Sequence, residues 1–174
     1  MKTTAYLLAL GLIALTTQSL HANVTITSPT GGNNLSADKA QNSTNGAAFT
    51  ALGNIVLTET AGADFAAGNG QTLILTVPSG WQFKPGTGTV TFTGSRDITS
   101  ATISVTTSNA TITYSVGGAG KLDVMTIGSL QAQAVNGANA PADYIRCLFG
   151  NSGTAVIAGV DIDYTTFGLM NQVA

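Results

Sequence analysis

The chain is poor in the residues that most site chemistry needs. It has one histidine, one cysteine and one tryptophan in 174 residues, and only 8% of its residues are charged. The histidine, His21, lies in an N-terminal stretch that reads as an export signal, so the exported remainder is expected to have none. That excludes Ser-His-Asp and Cys-His catalysis and every histidine-ligated metal site. A lone cysteine, Cys147, cannot close an internal disulfide, so core packing alone must hold the fold even in an oxidising compartment. Beyond residue 22 there are five basic and eight acidic residues, a formal charge of −3. Such a surface has no basic footprint for nucleic acid or anionic lipid. Long apolar runs are also missing. The longest, "AYLLALGLIAL" (5–15), has eleven residues, against the roughly 20 that a membrane-spanning helix requires.

That run has the makings of a leader. Lys2 supplies the positive start, Ala5 to Leu15 the short apolar core, and "TTQSLHA" the small-polar exit, which predicts cleavage after Ala22. No cysteine follows the apolar core, which argues against a lipid anchor. Asn23 to Ala174, 152 residues, would remain. That is a single-domain length, enough to bury about 68–70% of the unfolded chain's surface. The expected organisation is a signal peptide at 1–22, an N-terminal strand and flexible polar loop at 23–47, and one β-domain at 48–174.

What is present is alternation with a period of two. "GTVTFTG" (88–94), "ATISVTT" (101–107), "ATITYSV" (110–116) and "GVDIDYT" (159–165) each put apolar residues on one face and Thr, Ser or Asp on the other. These read as half-buried strands, and threonine suits their wet face because it is β-branched and tolerates water. Further strands are expected at 24–27, 54–59, 73–77, 122–130, 144–149 and 155–158. Turns are expected at Gly31-Gly32-Asn33-Asn34, Asn69-Gly70, Gly86-Thr87-Gly88, Gly117-Gly118 and Asn136-Gly137. Many short strands between glycine-rich turns predict an all-β, antiparallel β-sandwich. A membrane barrel would need an outward apolar band and two aromatic girdles, whereas the outward residues here are threonines.

At "NIVLTETAGADFAAGNGQTLILTVPSGWQF" (54–83), followed by "GSRDITSATISV" (94–105) and "GTAVIAGVDIDYTTFGLM" (153–170), the chain resembles immunoglobulin-like or cohesin-like sandwich modules of bacterial secreted and surface repeat proteins. The likeness spans roughly residues 50–170 and lies in strand pattern, not in a catalytic signature. It implies a fold and an extracellular or cell-surface setting. Modules of that kind serve as spacers, adhesive units or docking surfaces for proteins and glycans, and they share no catalytic residues. The chain departs from them in ending directly after the module.

The candidate sites have competing readings. Trp81 and Phe83 stand two apart and so share a face, as the stacking rings of a sugar-binding platform would. A tryptophan after a Pro-Ser-Gly turn equally suits a core plug, because it buries a large area with few rotatable bonds. Asp161 and Asp163, at strand spacing about 6.6–7 Å apart, are candidate calcium ligands, although calcium takes six to eight oxygens and one strand pair supplies too few. The alternative is a charged edge that deters pairing with a foreign sheet. Glu59, the only glutamate, and Asp64 flank a turn and are the best candidates for a hydrolase carboxylate pair. Cys147 in "YIRCLF" shares a face with Ile145 and Phe149, which suits a buried apolar thiol. "GSRD" (94–97) holds an Arg96–Asp97 pair that suits a turn.

The sequence therefore predicts a secreted, non-enzymatic structural or adhesion module without a cofactor, with structural calcium as an option. It is expected to act through other extracellular proteins or self-association, with Asn23–Thr27 able to add to a neighbour's sheet. The alternative is a carbohydrate-binding module using Trp81 and Phe83. Sequons at Asn23, Asn34, Asn42 and Asn109 matter only where the export route glycosylates.

Overall fold

The computed structural model describes residues 23–138, 140–148, 153–161 and 164–173. The leader proposed for residues 1–22 lies outside them. In chain order the strands begin with β1 (Thr25–Thr27), β2 (Leu35–Ser36), β3 (Thr50–Ala51), β4 (Ile55–Thr58) and β5 (Gly68–Thr76). Next come β6 (Trp81–Phe83), β7 (Thr89–Phe92), β8 (Ile98–Val105), β9 (Asn109–Val116) and β10 (Val124–Gly128). The last are β11 (Gln131–Ala134), β12 (Asp143–Arg146), β13 (Thr166–Met170) and β14 (Gln172–Val173). Two 3-10 turns, Gly32–Asn34 and Ala37–Lys39, are the only helical elements among the described residues. None of these residues forms a helix long and apolar enough to cross a membrane.

The chain is thus all-β. One antiparallel sheet has the order β1-β4-β10-β7 and another the order β13-β12-β5-β9-β8. A third, small sheet runs β3-β11-β6, and β14 pairs in parallel with β2. The alternation read from sequence accounts for the centre of this arrangement. On β9, Ala110, Ile112, Tyr114 and Val116 are buried while the threonines between them are half-exposed. Ile55, Leu57, Met125 and Ile127 from the four-stranded sheet join Leu73, Leu75, Ile112 and Phe167 from the five-stranded sheet in one continuous core, giving a sandwich-like body. Each such Leu or Ile side chain contributes about 1.5–3 kcal/mol when fully buried. Phe65 and Tyr114 meet edge to face across this core, 5.8 Å between centroids.

Three expectations need correction. Residues 30–47 are not a loose connection. Leu35 and Ala40 are buried, Leu35 N donates to Asn171 O (3.0 Å), and Gln41 N donates to Ala134 O (2.8 Å). The polar composition hid this because one leucine and one alanine make no period. The strand expected at 159–165 is also absent where that stretch is described. Gly159 has a φ of 79°, Val160 N donates to Ile157 O, and Tyr164 is 85% exposed rather than inward. The strand begins later, at Thr166, and buries Phe167 and Met170.

The strand expected at 155–158 does not form either; the segment makes single contacts only. Ala155 N donates to Thr72 O (2.8 Å), and Phe65 faces Ile157 in an isolated antiparallel bridge. Residues 23–27 lie where expected, with Thr25–Thr27 paired to Val56–Thr58 of the same chain.

Candidate functional site

Trp81 enters the core through its turn. Trp81 N donates to Pro78 O (3.2 Å), and Gly80 at φ 85° supplies the left-handed position that such a turn requires. The strand that follows, β6, pairs with β11, Ala134 opposite Trp81 and Ala132 opposite Phe83. Small alanines on β11 leave room for the two large rings. Trp81 is 4% exposed, its Nε1 donates to Pro141 O (2.8 Å), and Phe83 is fully buried. This corrects the sugar-platform reading, since neither ring presents a face to a pyranose. Tryptophan emission of the native protein is expected to be blue-shifted, insensitive to iodide and unchanged by added polysaccharides. A red, quenchable spectrum would contradict the burial.

Of the two candidate calcium ligands, Asp161 and Asp163, only Asp161 lies among the described residues. Asp161 is exposed, and its N–H donates to Thr165 Oγ1 (2.7 Å). Asp163 lies outside the described residues. Among the described residues no three histidine, cysteine, aspartate or glutamate side chains are grouped so as to hold a metal.

The carboxylates suspected of hydrolase chemistry are instead clips for the backbone. Glu59 follows β4 and Asp123 precedes β10, its neighbour in the sheet, so the two lie side by side. Glu59 Oε1 accepts from Phe65 N (2.7 Å) and Oε2 from Asp123 N (2.6 Å), while Glu59 N donates to Asp123 O. Asp64 Oδ2 accepts from Thr60 N (2.8 Å) and Ala61 N (3.0 Å), closing the turn between β4 and β5. Asp123 Oδ1 accepts from Ile98 N (3.2 Å). All three carboxylates are buried, with Asp64 Oδ1 and Asp123 Oδ2 lacking a partner among the described residues. Burial pushes the Glu59 carboxyl above its ordinary range, and the nearby Asp123 and Asp64 add to the rise. The two backbone hydrogen bonds oppose it. Asp123 was not part of the expected pair. Its contact with Glu59 spans 64 residues of sequence, so no local spacing reveals it.

Cys147 is buried, and that burial pushes its thiol up to about 12, which leaves it a neutral core residue at physiological pH. Phe149, expected on the same face, lies outside the described residues. Asp97, of the Arg96–Asp97 pair, does shape a turn: its Oδ2 accepts from Lys121 N (2.7 Å) and its carbonyl from Gly117 N (2.8 Å).

Two surface features went unnoticed in the sequence. Ser28, Pro29, Thr30, Asn33, Tyr144 and Leu169 line an open groove of about 290 Å³. Tyr144 there is 40% exposed, with the Arg146 guanidinium 5.6 Å from its ring centre and paired to Asp143 (3.2 Å). The other feature is the side of the molecule where β7 and β8 each end a sheet. β8 has eight residues and no charge, which was legible in "ITSATISV", but its place at an edge was not.

These features define an all-β, sandwich-like protein built on antiparallel sheets. No family model, curated protein or solved structure matches the chain.

Proposed function

We propose that the chain is an exported, non-enzymatic β-sandwich module of the immunoglobulin-like or cohesin-like kind, working outside the cell or at its surface through protein–protein contact. The observation that supports this reading is the all-β body of antiparallel sheets, whose eight-residue edge strand β8 carries no charge and presents Thr99, Ser100, Thr102 and Ser104 to solvent. Export rests on the leader features of residues 1–22. Calcium and other cofactors have no part in the reading.

A second reading, glycan binding, now has to use the Tyr144 groove. An aromatic ring beside the hydroxyls of Ser28 and Thr30 and the amide of Asn33 has the composition of a neutral sugar site. Retention on a polysaccharide that disappears with Tyr144→Ala would favour it over the contact reading.

The test is to express the full chain with its leader in a bacterial host. The expected product is recovered outside the cytoplasm, begins at Asn23, and is removed from intact cells by added protease or found in the medium. A chain confined to the cytosol with Met1 retained overturns export. Turnover of a glycan or ester that is lost with Glu59→Gln overturns the non-enzymatic reading.

A further inference from the structure

Three Asn-Gly pairs occur in the chain: Asn45-Gly46, Asn69-Gly70 and Asn136-Gly137. Such a pair is open to self-modification, because glycine has no side chain to keep its amide nitrogen away from the asparagine side-chain carbonyl carbon. The nitrogen attacks that carbon and closes a cyclic imide. Ammonia leaves, taking the glycine amide proton. Water then opens the ring at either carbonyl and gives aspartate or a β-linked isoaspartate. Ring closure needs a glycine N–H free of hydrogen bonds and a backbone free to bring it round.

The fold withholds these conditions from two of the pairs. Gly70 lies in β5, and its N–H donates to Ser115 Oγ (3.0 Å) on the neighbouring strand β9. Asn136 is held more firmly. Its Oδ1 accepts from Asn42 Nδ2 (3.0 Å) and Ala138 N (2.9 Å), while Gly137 N donates to Asn42 Oδ1 (2.9 Å). A Cβ at Gly137 would stand 2.7 Å from the Ala37 carbonyl oxygen, so the backbone there is packed against its neighbour. Asn45 has none of these restraints. It is exposed at the tip of a loop whose base is closed by Ala48 N donating to Lys39 O (3.1 Å). Its own N–H donates to Ser43 Oγ (3.2 Å), which leaves its side-chain amide without a partner among the described residues. Gly46 N has no partner among them either, and a Cβ at Gly46 would meet nothing within 4 Å.

We infer that Asn45 is a site of spontaneous modification in the folded protein, converted to aspartate and isoaspartate through an imide closed by Gly46 N, while the fold protects Asn69 and Asn136. Each hydrogen bond that has to break before ring closure slows the step about 2–12-fold. Asn69 therefore falls behind Asn45 by one such factor, and Asn136 falls further behind. The change alters the surface. No acidic residue lies between Asp38 and Glu59, so a carboxylate at position 45 puts negative charge on a stretch that has none. The isoaspartate product also lengthens the main chain by one methylene at the loop tip. The inference stands apart from the export and contact readings, because it needs only the folded chain and water.

The test is to age the folded protein in mildly alkaline buffer and map its peptides by mass spectrometry, scoring aspartate and isoaspartate at each pair. Asn45 is expected to convert first. In urea strong enough to unfold the chain the three rates should converge, because the residue types are the same and only the fold separates them. Ser115→Ala frees Gly70 N, and Ser115 is half-exposed, so the variant keeps its core. It should speed conversion of Asn69 about 2–12-fold and leave Asn45 unchanged. Conversion of Asn69 or Asn136 as fast as Asn45 in the folded protein overturns the inference. So does an order of rates that survives unchanged in urea, or an Asn69 that is indifferent to Ser115→Ala in a protein still folded by circular dichroism.

Discussion

Replacing Glu59 with alanine is expected to cost about 2–6 kcal/mol of stability, because it strands two buried backbone N–H groups at about 1–3 kcal/mol each. The donors are Phe65 N and Asp123 N, each now held by a separate oxygen of the one carboxylate. Through them Glu59 ties the end of β4 to the start of both β5's approach and β10. Against a typical total of about 5–15 kcal/mol, the loss would leave the fold marginal. Glu59→Gln should cost less, since one oxygen still accepts, but its amide nitrogen would face an N–H and cannot replace the other. The comparison is made by urea unfolding.

The same residue gives the stability a pH dependence. Burial, reinforced by Asp123 and Asp64, raises the folded-state pKa of Glu59 above its ordinary 4.5, so the native state holds that proton more tightly than the unfolded chain. The resulting stability is fully present below pH 4.5 and is lost as pH rises through the raised value. The advantage of the wild type over Glu59→Ala should therefore be greatest in mild acid and smaller at neutral pH. An advantage that grows toward neutrality would contradict the assignment.

Gly32→Ala is expected to be nearly as damaging, by a different route. A Cβ at Gly32 would collide with the Leu169 carbonyl oxygen and lie 3.3 Å from its carbon, and neither can yield as the end of a flexible side chain would. The segment around Gly32 would have to lift. It would give up the Asn171 N to Gly32 O and Leu35 N to Asn171 O hydrogen bonds, the pairing of β2 with β14, and the burial of Leu35. Those losses sum to about 2–5 kcal/mol. The effect should be local. Limited proteolysis is expected to cut the variant between residues 30 and 47 while Leu73–Thr76 keep their exchange protection. A variant that resists cleavage there as well as the wild type would show that the segment accommodates the methyl group.

Gly32 also marks where sequence reading stopped. Local alternation is written into the chain wherever a strand has one dry and one wet face, so β9, with Ile112 and Tyr114 inward and Thr111 and Thr113 outward, was legible. So was the turn that delivers Trp81, because Pro-Ser-Gly is local chemistry. Docking between distant segments is not periodic. Nothing near Leu35 indicates that it pairs with Gln172, and nothing near Glu59 indicates Asp123. "GVDIDYT" misled for a related reason. Its alternation is real, but Gly159 sits at a positive φ, and the pairing with β12 lies at Thr166–Met170. Of the candidate sites, the residue types were correctly noticed at Trp81 and Glu59, whereas their roles depended on burial. The place of β8 at the end of its sheet depended on strand order, which no single strand's sequence carries.

The junction of β2 with β14 has a consequence for how the protein reaches its native state. Asn171 Nδ2 reaches Asn33 O across 138 residues of chain, and β2 and β14 run parallel beside that contact. Closing so long a loop early is entropically unfavourable, though each doubling of length adds only about 0.6 kcal/mol. Two residue pairs, the hydrogen bonds of Asn171 with Gly32 and Leu35, and the burial of Leu35 offset that cost only once the segment has docked. The hairpin of β8 and β9, which turns within four residues at Thr106–Asn109, can form long before it. The β2–β14 clasp is therefore expected to settle after the sheets, closing on a body already built. Until it arrives the β13 edge stays bare, so the interval before clasping is when a nascent chain is most exposed to joining its neighbours by the wrong strand.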